Sequence, residues 1–106
     1  MSDIQSGSRR NEYLALIRLK YSYLHEKFGV DKIGVFGSTV RGEDQDGSDV
    51  DVVFTFCPGK VSLDRYLELA DYLESLFGRK VDLIPDDGLS PYIRPFVMNE
   101  VVWCEA

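Results

Sequence analysis

Residues 37–53 read GSTVRGEDQDGSDVDVV, and this stretch decides how the chain folds. It opens on Gly37-Ser38 directly after an apolar run, Lys32-Ile33-Gly34-Val35-Phe36, which reads as a strand. It closes inside a second strand, expected over Asp49–Phe56. There Asp49, Asp51, Val53 and Thr55 point to one side, and Val50, Val52, Phe54 and Phe56 to the other. Thr39 to Gly42 has room for only one helical turn, and Glu43 to Ser48 is a polar loop with Gly47 at a turn position. A connection this short permits the two strands to pair antiparallel.

Outward from this stretch the chain alternates helices and strands. Leu14, Ile17, Tyr21, Leu24 and Phe28 recur at helical spacing and predict a helix over Arg9–Phe28. Residues 1–8 are expected to form a flexible N-terminus, with one domain over 9–106. Ser62 is placed to cap a helix over Leu63–Phe77, closed by Gly78. Its apolar stripe is broad, with Leu63, Leu67 and Ala70 on one ridge and Leu69, Leu73, Leu76 and Phe77 on another. Asp64, Glu68 and Asp71 form an acidic stripe elsewhere on its surface. A third strand follows at Lys80–Ile84, and the long helix before it predicts a right-handed parallel crossover from the second strand. Ser90-Pro91 opens a last short helix unless Pro95 delays its start. Val101–Cys104 reads as a final edge strand. The expected fold class is α/β (α+β): a small mixed β-sheet flanked by helices.

Three devices in this pattern carry chemistry. Gly37 and Ser38 lie at a strand-to-helix junction, where free backbone N–H groups and a hydroxyl suit a phosphate. Asp49 and Asp51 share one strand face, with Cα atoms about 6–7 Å apart. Two carboxylates so placed repel unless a hard cation lies between them, and oxygen ligands suit Mg²⁺ or Mn²⁺. Asp82 is an acid between Val81 and Leu83 in an otherwise apolar strand, and burying it without a partner is costly. Its strand is the expected neighbour of the Asp49–Asp51 strand. Side by side, the three acids could share two metal ions about 3.5–4 Å apart across a phosphoryl centre.

The pattern G-S-x-x-R-G-x(5)-S-D-x-D, followed by a V-D-L strand, resembles the minimal nucleotidyltransferases of the DNA polymerase beta-like nucleotidyltransferase superfamily. The resemblance implies a nucleotidyltransferase fold and transfer of a nucleotide monophosphate from a nucleoside triphosphate to a hydroxyl, with release of pyrophosphate. It implies that Gly37 and Ser38 hold the terminal phosphates, and that Asp49 and Asp51 bind both Mg²⁺ ions. Asp82 would bind the second ion near the acceptor and help deprotonate its hydroxyl. Arg41 takes a phosphate-binding or site-shaping role, and Ser48 positions the strand start. One departure is Thr39-Val40, where relatives often carry a basic and a small residue.

Composition sharpens the choice of partner. Twelve Lys and Arg stand against 18 Asp and Glu, a net charge of −6, which excludes a protein that grips nucleic acid by bulk charge. The imbalance is local: residues 1–42 carry +3 and residues 43–106 carry −9. Glu43, Asp44 and Asp46 read as solvated loop. Cys57 and Cys104 have no metal-like spacing and are expected to be reduced. A lone His25 gives no metal site or Cys–His dyad by itself. No run is apolar enough for a membrane span or a signal core, so a cytoplasmic location is expected. The small size resembles the antitoxin half of HEPN/MNT toxin–antitoxin systems. That resemblance implies a protein adenylyltransferase using ATP to modify a tyrosine of a HEPN toxin, an RNase. A homodimer or hetero-oligomer is expected to complete the open acceptor side. Two alternatives stay open here: a non-catalytic antitoxin acting by binding alone, and transfer to a small molecule such as an aminoglycoside.

Overall fold

The computed structural model describes residues 8–43 and 47–104. Helix α1 (Ser8–Phe28) leads into strand β1 (Val30–Phe36), the single turn α2 (Ser38–Arg41) and strand β2 (Val50–Phe56). Helix α3 (Leu63–Phe77), strand β3 (Val81–Pro85), a 3-10 turn (Asp86–Gly88), helix α4 (Arg94–Glu100) and strand β4 (Val102–Cys104) complete the chain. The sheet order is β3-β2-β1-β4. β1 pairs antiparallel with both β2 and β4, and β2 pairs parallel with β3. The antiparallel first pair and the parallel crossover through α3 are therefore as the sequence predicts. Of the expected flexible terminus 1–8, residue 8 already belongs to α1, while residues 1–7 and the loop acids Asp44 and Asp46 lie outside the described residues.

Both faces of the sheet are covered, so its central strands are apolar on both sides. On one face α1 and α3 pack through Ile17, Leu24, Phe28, Leu69 and Leu73 onto Ile33, Val35, Val50, Val52 and Phe54. Full burial of side chains of this size contributes about 1.5–3 kcal/mol each. On the other face α4 sets Val97 against Phe36 and Val53. Gly34 admits the approach of β4, because a Cβ there would stand 2.7 Å from the Val102 carbonyl oxygen.

The sequence reading needs two local corrections, and the structure chooses between its alternatives for the last helix. Ser62 does cap α3, accepting from the Arg65 N–H at 3.2 Å, but the ridge at Leu63 and Leu67 is exposed by 71% and 52%. A helix can bury only the stripe its sheet can cover, and Leu69 and Leu73 already fill that contact. The last helix starts at Arg94, so Pro95 falls in its first turn, where no N–H donor is needed. β1 also begins two residues earlier than the apolar run suggests.

Candidate active site

The parallel register of β2 and β3 sets Asp51 directly beside Asp82. On its other side Asp51 faces Phe36 of β1. Asp49 lies two residues before Asp51, just outside the start of β2. The three acids thus gather at one end of the sheet, on the α4 side that also carries Val53 and Ile84. Asp51 is half-buried, whereas Asp49 and Asp82 are exposed. The expectation that Asp82 is an acid inside an apolar interior is thus corrected. β3 is an edge strand, and its start is open to water. Burial pushes the Asp51 carboxyl up to about 6, helped by the charges of Asp82 and then Asp49, while Arg41 pulls the other way.

The loop after β1 closes over these acids. Gly37 adopts φ 77° and ψ −150°, a region open essentially only to glycine. A Cβ there would lie 2.1 Å from Asp51 Oδ2, so glycine lets the loop backbone abut the carboxylate. The Gly37 carbonyl accepts from the N–H groups of Val40 and Arg41, both at 3.1 Å. Ser38 opens α2 and is half-buried, and its carbonyl accepts from the Glu43 N–H at 2.9 Å. With only four residues, α2 offers local N–H groups rather than the macrodipole of a long helix. Ser48 precedes β2, and its carbonyl accepts from Arg79 Nη1 at 3.1 Å. One residue into the strand, the Val50 N–H donates to the Lys80 carbonyl at 2.9 Å.

Arg41 is the clearest case of site shaping. Its Nη1 donates to Glu100 Oε1 at 2.9 Å and Oε2 at 3.1 Å, and its Nε donates to Glu43 at 3.0 Å. Glu100 Oε2 also accepts from the Gly37 N–H at 2.8 Å. Sequence reasoning missed Glu100. The available signal was an acid inside the apolar tail Phe96–Cys104, the same signal that marks Asp82.

As placed, no three Asp, Glu, His or Cys side chains among the described residues converge on a point that would hold a metal ion. The donor chemistry nonetheless suits a hard divalent cation: three carboxylates, two adjacent across the register, with no competing sulfur or imidazole.

Among the described residues, cavities of about 340 Å³ lie at either end of the sheet. One, lined by Gly47, Ser48, Gly78, Arg79 and Lys80, adjoins the carboxylate end. The other is more apolar and lies at the opposite end, between Phe54, Phe56, Val61, Leu63 and Tyr66. Its own acids are Asp86, paired with Arg94, and Asp87, and it lacks the Gly37-Ser38 loop and the Asp51–Asp82 pair, so the carboxylate end is the candidate site. His25 does approach Cys57, with Nδ1 3.6 Å from Sγ. The same Nδ1 lies 2.9 Å from the Val30 carbonyl oxygen, to which it can only donate. It therefore cannot serve as a base for the thiol. Both cysteines are free thiols, as expected.

A glycine-serine loop lying against a D-x-D strand, with a third acid on the parallel neighbour, is the arrangement that the nucleotidyltransferase resemblance implies. The chain belongs to the nucleotidyltransferase domain family, whose match spans residues 19–104. Within that class it is similar to minimal members. It is 48% identical over 80 residues to the protein adenylyltransferase MntA of Thermococcus cleftensis, covering 76% of this chain and 80% of that one. A solved structure of a candidate minimal nucleotidyltransferase superposes with a TM-score of 0.73 at 31% identity, covering 95% of this chain and 98% of the other. A chain from the Shewanella oneidensis complex of tri-AMPylated HEPN toxin with MNT antitoxin superposes with a TM-score of 0.61. At 20% identity, over 88% of this chain and 72% of that one, this last likeness shows the fold alone. No helix among the described residues is long and apolar enough to cross a membrane.

Proposed function

We propose that the protein transfers AMP from ATP to a hydroxyl of a partner protein, a tyrosine of a HEPN toxin, and so silences it. The observation that carries this reading is the side-by-side placement of Asp51 and Asp82 against the Gly37-Ser38 loop. The 48% identity to a protein adenylyltransferase supports the acceptor class, and the openness of the Asp82 edge suits an acceptor as large as a protein.

In this mechanism the Gly37-Ser38 loop receives the terminal phosphates: Ser38 offers its backbone N–H and hydroxyl, and Gly37, whose own N–H is held by Glu100, lets them approach the backbone closely. Asp49 and Asp51 would hold both Mg²⁺ ions, or Mn²⁺, and Asp82 the second. Bound there, the cations would offset the triphosphate charge and stabilise the leaving pyrophosphate. The acceptor oxygen attacks the α-phosphorus, a new P–O bond forms, and the bond to pyrophosphate breaks. Asp82, open to water beside the acceptor, takes the hydroxyl proton. The fold contributes mainly position and electrostatics.

The test is incubation of the protein with its toxin partner, labelled ATP and Mg²⁺, followed by mass spectrometry of the toxin. Addition of AMP to a toxin tyrosine is expected, with Asp49→Asn and Asp51→Asn inactive. Unmodified toxin would refute the reading. Neutralisation by binding alone is a second reading, favoured by the exposed Leu63 and Leu67 beside Asp64, Glu68 and Asp71. Toxin neutralisation that persists in Asp51→Asn would select it. Aminoglycoside resistance on expression would instead mark a small-molecule acceptor.

A further inference from the structure

We infer that Glu100 is a positioning residue that holds the Gly37-Ser38 loop in its phosphate-receiving shape through the Gly37 amide and Arg41. The inference rests on the phosphate role proposed for that loop.

Glu100 is the last residue of α4, and that helix is pinned to the sheet by buried Val97 against Phe36 and Val53. The carboxylate therefore reaches the loop from a fixed base. Its Oε2 takes the Gly37 N–H at 2.8 Å, and both oxygens take Arg41 Nη1 at 2.9 and 3.1 Å. Gly37 begins the loop and Arg41 ends α2, so one side chain ties both ends of the phosphate-receiving segment. Without that tie, Gly37 is the residue best able to change shape, because glycine alone has so many backbone states open to it.

Charge alone would not place a glutamate here. The carboxylate stands beside Asp51, whose proton it helps to retain, and close to where an anionic triphosphate would lie. Arg41 Nη1, which is shared between both carboxylate oxygens, offsets that charge locally. The pair thus supplies geometry with no net charge. A different role would be competition, in which Glu100 mimics a phosphate and must leave before nucleotide binds. The two roles predict opposite responses to substitution. A positioning carboxylate is replaceable by the isosteric Gln, whose oxygen still accepts from Gly37, but not by the shorter Asp. A competing charge is retained by Asp and removed by Gln.

The experiment uses the full chain as Glu100→Gln, Glu100→Asp and Glu100→Ala. AMP-PNP binding with Mg²⁺ is measured by calorimetry, and ATP turnover on the toxin partner is measured alongside. Glu100→Ala and Glu100→Asp are expected to weaken AMP-PNP binding by roughly 10- to 100-fold, the range for losing a hydrogen bond to a charged group. Glu100→Gln should stay within about threefold of wild type. In turnover the loss should fall on KM for ATP, with kcat held within about threefold. A merely destabilised protein would lose active molecules, lowering kcat at constant KM. Tighter AMP-PNP binding in Glu100→Gln, or wild-type binding in both Ala and Asp variants, would overturn the inference. If Glu100→Ala fails to fold, the Asp and Gln variants carry the same contrast. If wild-type protein binds AMP-PNP but transfers nothing to the toxin, the proposed function fails and the binding series still decides the role of Glu100.

Discussion

Replacing Asp51 by Asn should abolish nucleotide transfer and at the same time stabilise the fold. The carboxyl of Asp51 moves from an ordinary 3.8 to about 6, first through burial and then through the charges of Asp82 and Asp49, with a smaller push from Glu100 and an opposing pull from Arg41. A carboxyl raised in the folded state favours folding fully below its unfolded pKa. That advantage disappears as pH rises through the folded value. The difference of about two pK units corresponds to a ceiling of about 3 kcal/mol at neutral pH. Asp51 is only half-buried, and solvent screening leaves roughly 1–2 kcal/mol. Asn keeps the shape and removes the charge. For a domain of this size that energy raises Tm by roughly 5–10 °C. The assay is thermal unfolding of wild type and Asp51→Asn without divalent cations, from pH 3.5 to 8. The variant's advantage should open between about pH 4 and 6.5 and stay level above that. Added Mg²⁺ should narrow the gap by binding wild type more tightly. An Asn variant no more stable than wild type at pH 8, or a gap independent of pH, would refute the account of crowded, partly desolvated charge.

Three further outcomes follow from the same geometry. Gly37→Ala places a Cβ 2.1 Å from Asp51 Oδ2 at φ 77°; it should lower stability by about 2–4 kcal/mol and remove transfer, read by denaturant unfolding and turnover. Ser62→Ala deletes the cap received by the Arg65 N–H and should lower stability by about 1 kcal/mol with turnover unchanged in the protein that remains folded. Chelation by EDTA should stop transfer, and restoring Mg²⁺ or Mn²⁺ should recover it, while far-UV circular dichroism stays constant because the core lies between the helices and the sheet rather than at the carboxylates.

The sequence disclosed what depends on local pattern. Period-two alternation around Asp51 and helical spacing around Leu24 and Leu73 are short-range signals, and they set the strand pair, the crossover and the neighbouring acids. Glu100 was less legible because its partners are a backbone amide 63 positions away and a guanidinium 59 positions away. The apolar tail around it marks the acid as unusual but does not name its partners. The exposure of Leu63 and Leu67 was hidden for a different reason. Helical spacing tells which residues share a face, whereas the width of the sheet beneath decides how many of them are covered. The start of α4 was ambiguous because Pro91 and Pro95 each suit a helix beginning, and only the packing of Val97 chooses between them.

The strand order has a further consequence. Asp51 belongs to β2, which is hydrogen-bonded on both sides, whereas Asp82 belongs to β3, the outermost strand. Local breathing of a sheet starts at its margin. On the proposed reading, the group that grips the nucleotide therefore sits where amide protons should exchange most slowly, and the group that meets the acceptor sits where they should exchange sooner. Fidelity toward the small, invariant donor and tolerance toward a bulky, variable acceptor are thereby assigned to two neighbouring strands of unequal stiffness.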